Sequence, residues 1–132
     1  MNQFLKPEII SLKGVEDNSG DLYFLEESME LPFAIARSFW IIDVPEGGKR
    51  GVHAHKEETQ VLIAVQGTLE VSLEKGEEVM SFSLSSPKQA LILPAMYWSE
   101  VTFSKKAILL GFSNRKFSES DYIRDKNEFN AL

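Results

Sequence analysis

Apolar positions recur along this chain with the period of β-strands. Phe33 to Ile42 is rich in aromatic and β-branched residues, and it stops at Asp43, Val44, Pro45, Glu46, Gly47 and Gly48, a dense turn signal. Val61 to Val65 is continuously apolar, as suits a strand buried on both faces. Gly67 permits a turn into Leu69 to Glu74, where apolar and polar residues alternate with period two. A hairpin tip at Lys75 to Glu78 leads to Met80, Phe82 and Leu84, which alternate with Ser81, Ser83 and Ser85. Ala90 to Leu93 ends at Pro94, and Ala107 to Phe112 supplies a further buried strand. Short strands at such close spacing predict an all-β sandwich or barrel. Only the tail departs from the pattern. Ser118, followed by Glu119, Ser120 and Asp121, opens a short turn or helix before the polar stretch Lys126 to Asn130. No repeat or linker divides the chain, so residues 1–132 read as one domain.

Composition narrows the function classes. The 132 residues carry a net charge of −6 and no basic cluster, which argues against a nucleic-acid surface. The absence of cysteine excludes disulfides, thiolate metal sites and cysteine nucleophiles. No apolar run approaches the roughly 20 residues needed to cross a bilayer, and Met1 to Leu12 lacks the layout of a signal peptide. The expectation is a cytoplasmic protein with no membrane or nucleic-acid partner. The paired acids Glu26–Glu27, Glu57–Glu58 and Glu77–Glu78 read as solvated edges and tips.

Both histidines of the chain lie in one short segment, Arg50-Gly51-Val52-His53-Ala54-His55-Lys56-Glu57-Glu58-Thr59-Gln60. In an extended strand residues i and i+2 project from one face, so His53 and His55 aim at one place while Val52 and Ala54 point away. Glu57 shares that face if the strand stays regular. Alone, the pair is open to three readings: metal ligands (with Glu57, a two-His-one-carboxylate set), proton carriers, or satisfied polar groups.

The spacing Gly47-x5-His53-Ala54-His55-x4-Gln60-x6-Gly67 resembles the first motif of the cupin superfamily. Gln60 stands where metal-binding cupins usually carry glutamate, and the second-motif turn, Leu93 to Ser99, has no histidine. A narrower resemblance spans almost the whole chain. Arg50 to Gly67, the turn Leu93 to Trp98, and Asp121-Tyr122-Ile123-Arg124 with Phe129 are similar to the cupin sugar 3,4-ketoisomerases. Asp17 to Gly20 and Leu31-Pro32-Phe33 fall where that family has similar elements. The resemblance implies a cupin double-stranded β-helix, a jelly-roll barrel with a short C-terminal turn or helix. It also implies a homodimer that exchanges N-terminal strands, no metal or other cofactor, and conversion of a dTDP-4-keto-6-deoxyglucose to its 3-keto isomer for bacterial surface glycans. His53 and His55 are then the proton-transfer groups.

That chemistry suits the residue types. Moving a carbonyl one carbon along needs a proton taken from C3, an enediol, and a proton returned at C4. Imidazole, with an unperturbed pKa of about 6.5, can do both near neutrality. Hydrogen-bond donors can stabilise the enediolate without a metal. Which histidine is base and which acid stays open. Arg37 and Arg50 match family arginines and suit a diphosphate, while Phe39, Gln60, Tyr97 and Trp98 are the further candidates for substrate contact. The family pattern is departed from at three places: Ser19 replaces arginine before Gly20, Phe39 and Trp40 replace tyrosines, and Tyr97 then Trp98 replace tryptophan then histidine. The Asp121 to Arg124 segment is expected to dock the tail. The alternatives are a nucleotide-sugar-binding cupin without turnover and a metal-dependent cupin of another reaction class.

Overall fold

A computed structural model describes residues 6–28, 31 and 33–132. Twelve strands and one short helix follow in order: β1 (Glu8–Ser11), β2 (Lys13–Asp17), β3 (Gly20–Phe24), β4 (Arg37–Ile41), β5 (Lys49–His55), β6 (Gln60–Gln66), β7 (Leu69–Lys75), β8 (Glu78–Leu84), β9 (Gln89–Leu93), β10 (Trp98–Phe103), β11 (Ile108–Ser113), β12 (Tyr122–Ile123) and α1 (Lys126–Asn130). A 3-10 turn over Glu119–Asp121 precedes β12. The strands form two five-stranded antiparallel sheets, β1-β9-β6-β11-β4 and β12-β5-β10-β7-β8, plus the separate hairpin β2-β3. This is the expected all-β jelly roll.

Alternation places the core. Leu62 and Ala64 of β6, Leu91 and Leu93 of β9, and Leu109 of β11 face Leu69, Val71 and Leu73 of β7 and Val101 and Phe103 of β10. Burying these side chains supplies the main driving force for closing the two sheets. The opposite residues of the first sheet, Val61, Ile63, Ala90 and Ile92, build a second cluster with Leu31. Hence β6 is covered on both faces from Val61 to Ala64, whereas Val65, at the end of the apolar run, is 44% exposed. Gly67 is required at its turn. Its φ is +74°, and a Cβ there would lie 2.8 Å from Ala107 Cα.

The strand expected from Phe33 to Ile42 is shorter. Only Arg37–Ile41 pairs with β11, and Phe33 to Ala36 approach it as an irregular segment. Of the Leu31-Pro32-Phe33 element, Pro32 lies outside the described residues. β4 is the end strand of its sheet, and β5 on the other sheet has β10 on one side and only the two-residue β12 on its outer side. The barrel therefore opens between β4 and β5. No described helix is long and apolar enough to cross a membrane.

Candidate active site

The histidine strand is not a simple alternation. Ser99 of β10 faces His53, but Val101 faces Arg50, so β5 carries one residue more than its partner between these points. That is a β-bulge, and Gly51 at φ +67° supplies the left-handed residue it needs. Ser99 Oγ donates to Gly51 O at 2.9 Å and approaches His53 O at 3.3 Å, pinning the distortion. Without the extra residue Arg50 and His53 would fall on opposite faces. With it both line the same cavity.

That cavity, of about 340 Å³, occupies the open side of the barrel. Arg37, Phe39 and Ile41 of β4 form one wall, Arg50, Gly51 and His53 of β5 the other, and Gln60, Leu62, Leu93 and Leu109 the base. Phe39 lies over Gly111, its directly paired neighbour, where a Cβ would come within 2.2 Å of the ring. Gly111 thus makes room for the Phe39 ring inside the barrel.

The two histidines pack edge to face at 4.8 Å. His53 lines the cavity, whereas His55 sits behind it, 5% exposed. Burial, with His55 and Arg124 nearby, lowers His53 to about 4, so its imidazole is neutral at ordinary pH. Burial also lowers His55, against the opposing pull of Glu58 and Asp121. Gln60 joins them: its amide nitrogen is 2.6 Å from Glu58 Oε2 and 3.3 Å from His55 Nε2. His55 Nδ1 lies 3.4 Å from Asp121 Oδ2 and 3.8 Å from Glu58 Oε1.

Three residues of this cluster escape a linear reading. Glu58 is not a solvated edge. It is 1% exposed, held by Arg37 at 2.8 Å. Arg37 is therefore engaged with protein, although it also borders the cavity. Asp121 is 4% exposed and receives the N–H groups of Glu57 and Glu58 at 2.9 and 3.1 Å. Tyr122 pairs with His55 in the β5–β12 ladder, so it projects to the same face. Its ring lies 4.9 Å from His53 and 4.3 Å from His55, and burial raises its phenol pKa. The tail docks as expected, through Ile123 and Phe129 against Ala54 and Trp98, and in doing so delivers two site residues.

Other expected residues fall elsewhere. β5 ends at His55, and Glu57 turns outward to Arg115, so the set His53, His55 and Glu57 is not assembled. Tyr97 is buried in the main core, under the Lys75 ammonium, and Trp98 faces the tail cluster outside the barrel. Neither lines the cavity. The aromatics at its mouth are Trp40 and Phe117, 64% and 61% exposed. Donor atoms of His55, Glu58 and Asp121 all lie within 4.8 Å of one another, the composition of a small cation site. Their negative charge is already opposed by Arg37 on Glu58, by two backbone N–H groups on Asp121, and by Arg115 3.8 Å from Asp121 Oδ1. A divalent ion would have to enter beside both guanidinium groups, so this set fits a metal poorly.

A two-sheet jelly roll with a histidine pair at the mouth of its barrel defines a cupin-type protein. The comparisons give the narrower assignment. The family model described as FdtA, WxcM-like, C-terminal matches residues 5–132, and the chain belongs to that family. It is 32% identical over 126 residues, 95% of its own length and 91% of the relative's, to the TDP-4-oxo-6-deoxy-α-D-glucose-3,4-oxoisomerase of Aneurinibacillus thermoaerophilus. A 3,4-ketoisomerase from Helicobacter canadensis superposes with a TM-score of 0.91 at 36% identity, covering 97% of each chain. A variant 3,4-ketoisomerase from Thermoanaerobacterium thermosaccharolyticum, in complex with TDP-4-keto-6-deoxyglucose, gives 0.91 at 28% identity, covering 98% of this chain and 94% of the other.

Proposed function

We propose that this chain is a TDP-sugar 3,4-ketoisomerase, which moves the keto group of a dTDP-linked 6-deoxyhexose from C4 to C3 during deoxysugar biosynthesis for bacterial surface glycans. The observation that carries the reading is a neutral, desolvated His53 lining the cavity of a barrel shared with 3,4-ketoisomerases. A neutral imidazole can accept the proton at C3. The C–H electrons form the C3=C4 double bond, and the C4 oxygen becomes the enediolate oxygen and is protonated. The C3 hydroxyl then loses its proton, its electrons form C3=O, and C4 takes up a proton. Atoms and electrons balance without an oxidant or a metal, and no cofactor is part of the proposal.

Tyr122 is the natural donor to the enediolate, since its raised pKa keeps the phenol protonated. Arg50 makes no ion pair among the described residues and lies beside the cavity, so it is the arginine we assign to the diphosphate. Arg37 holds Glu58 and borders the sugar. Trp40 and Phe117 line the cavity with exposed faces and are the aromatics we assign to thymine, since Tyr97 and Trp98 are not among its lining residues. The reaction belongs in the cytoplasm, where nucleotide sugars are made.

A homodimer with exchanged N-terminal strands completes the proposal. Among the described residues the hairpin β2-β3 pairs with no other strand, and it exposes Val15 and Leu22, each 59% accessible. The end strand β4 exposes Trp40, with Ile42 just beyond it. These are apolar surfaces that a second copy would cover.

Isomerisation of dTDP-4-keto-6-deoxyglucose, followed by NMR of the sugar, tests the function. Wild type is expected to form the 3-keto isomer, and His53→Asn to lose turnover by about 100-fold or more while still binding TDP. Retention of wild-type rates in His53→Asn would remove His53 from proton transfer. Binding of TDP with no isomer from wild type would favour a binding protein.

A further inference from the structure

The contacts around His55 dictate where its proton sits, and they run through a residue from the far end of the chain. Arg37 approaches both carboxylate oxygens of Glu58, at 3.4 and 2.8 Å, fixing that carboxylate. Glu58 Oε2 lies 2.6 Å from the Gln60 amide nitrogen, and a carboxylate can only accept there, so the amide must present its NH2 group. The other hydrogen of that NH2 points along the 3.3 Å approach to His55 Nε2. Nε2 must then accept, and the ring proton must sit on Nδ1. On that side stands Asp121, immobilised by the two backbone N–H groups it receives, with Oδ2 at 3.4 Å. The approach is long and imperfectly aligned, and Nδ1 otherwise lacks a partner. Only a protonated Nδ1 makes it attractive.

We propose that Asp121 is a positioning residue that holds His55 in its Nδ1–H tautomer and orients the ring against His53. Asp121 is buried and does not line the cavity, so it acts through His55 and not on substrate. The consequence for the pair is specific. His55 stays a neutral neighbour of His53 while the resting base is unprotonated, and the Glu58 and Asp121 carboxylates stand ready to favour the cation formed when a proton arrives. With Nε2 of His55 facing the Gln60 NH2, proton uptake there requires that side chain to move aside, so the two events are coupled.

The proposal extends the isomerase reading, yet its first test does not depend on it. In ligand-free wild type, 15N NMR of the imidazole nitrogens is expected to show Nδ1 of His55 protonated and Nε2 as an unprotonated acceptor. A dominant Nε2–H form, or an even mixture, overturns the assignment whatever the enzyme catalyses. In Asp121→Asn the Nδ1–H population should fall and kcat drop on the order of 10- to 100-fold, with KM moving less than about 3-fold. Gln60→Leu, which removes the contact at Nε2 but leaves Asp121, should keep Nδ1 protonated. Loss of kcat in Asp121→Asn with an unchanged tautomer would mean that Asp121 serves the fold alone. If that variant fails to fold, the wild-type spectrum still decides.

Discussion

Protonation of His53 sets the pH response of the site. The base must be neutral, and burial lowers its pKa from 6.5 to about 4. The acid limb of kcat/KM is therefore expected well below 6.5, with activity flat across neutral pH, and a limb near 6.5 in a pH–rate profile would contradict this. The linkage to stability has the same sign. Between about 4 and 6.5 the unfolded chain binds the proton that folded His53 refuses, so His53 makes stability fall as pH drops through that window. Arg37 raises a different issue, because Glu58 beside it is fully buried. Arg37→Met leaves an unpaired buried carboxylate and should cost about 3 kcal/mol in urea denaturation, most of it recovered by adding Glu58→Met. An undiminished stability in the single variant would show that Glu58 is hydrated or protonated. These residues divide by how local their signals are. The His53–His55 spacing declares one shared face within three residues. The burial of Glu58 does not, since its flanks Lys56 and Glu57 are polar and its partners Arg37 and Asp121 lie 21 and 63 positions away.

At the scale of elements, the strands were legible because period-two alternation and glycine turns are local. The bulge in β5 was less so, although Gly51 inside an otherwise regular strand is its signature. That one inserted residue decides that Arg50 joins the histidines. The tail was legible as a docked segment but not as a site element. What turns it into one is the pairing of Tyr122 with His55, a contact set by tertiary packing, not by any pattern around residue 122. Tyr97 and Trp98 stay out of the cavity lining for a related reason. Met96, at φ +67°, reverses the chain before β10, and the strand then sends Trp98 to the outer face. Phe129 of α1 packs 5.7 Å from Trp98 and anchors the tail. Phe129→Ala is expected to cost about 3 kcal/mol and to reduce activity with it, because β12 loses its clamp. Thermal or urea unfolding within 0.5 kcal/mol of wild type, a figure of about the size of neutral surface changes, would detach α1 from the site.

For the whole molecule, the all-β jelly roll follows from many short strands bounded by turns, and the family resemblance covers almost the full chain. The exposed apolar side chains of the β2-β3 hairpin and of β4 predict a dimer, so Leu22→Asp is expected to shift sedimentation from dimer to monomer. A wild-type monomer at micromolar concentration would contradict the exchanged-strand arrangement. The chemistry of the barrel is to labilise a carbon-bound hydrogen next to a ketone. Incubation of wild type with dTDP-4-keto-6-deoxyglucose in deuterium oxide tests it most directly, with NMR of the recovered sugar as the readout. Deuterium is expected at C3 or C4 together with the 3-keto isomer, and both are expected to be lost in His53→Asn. A sugar that binds yet returns with all its carbon-bound hydrogen would contradict it.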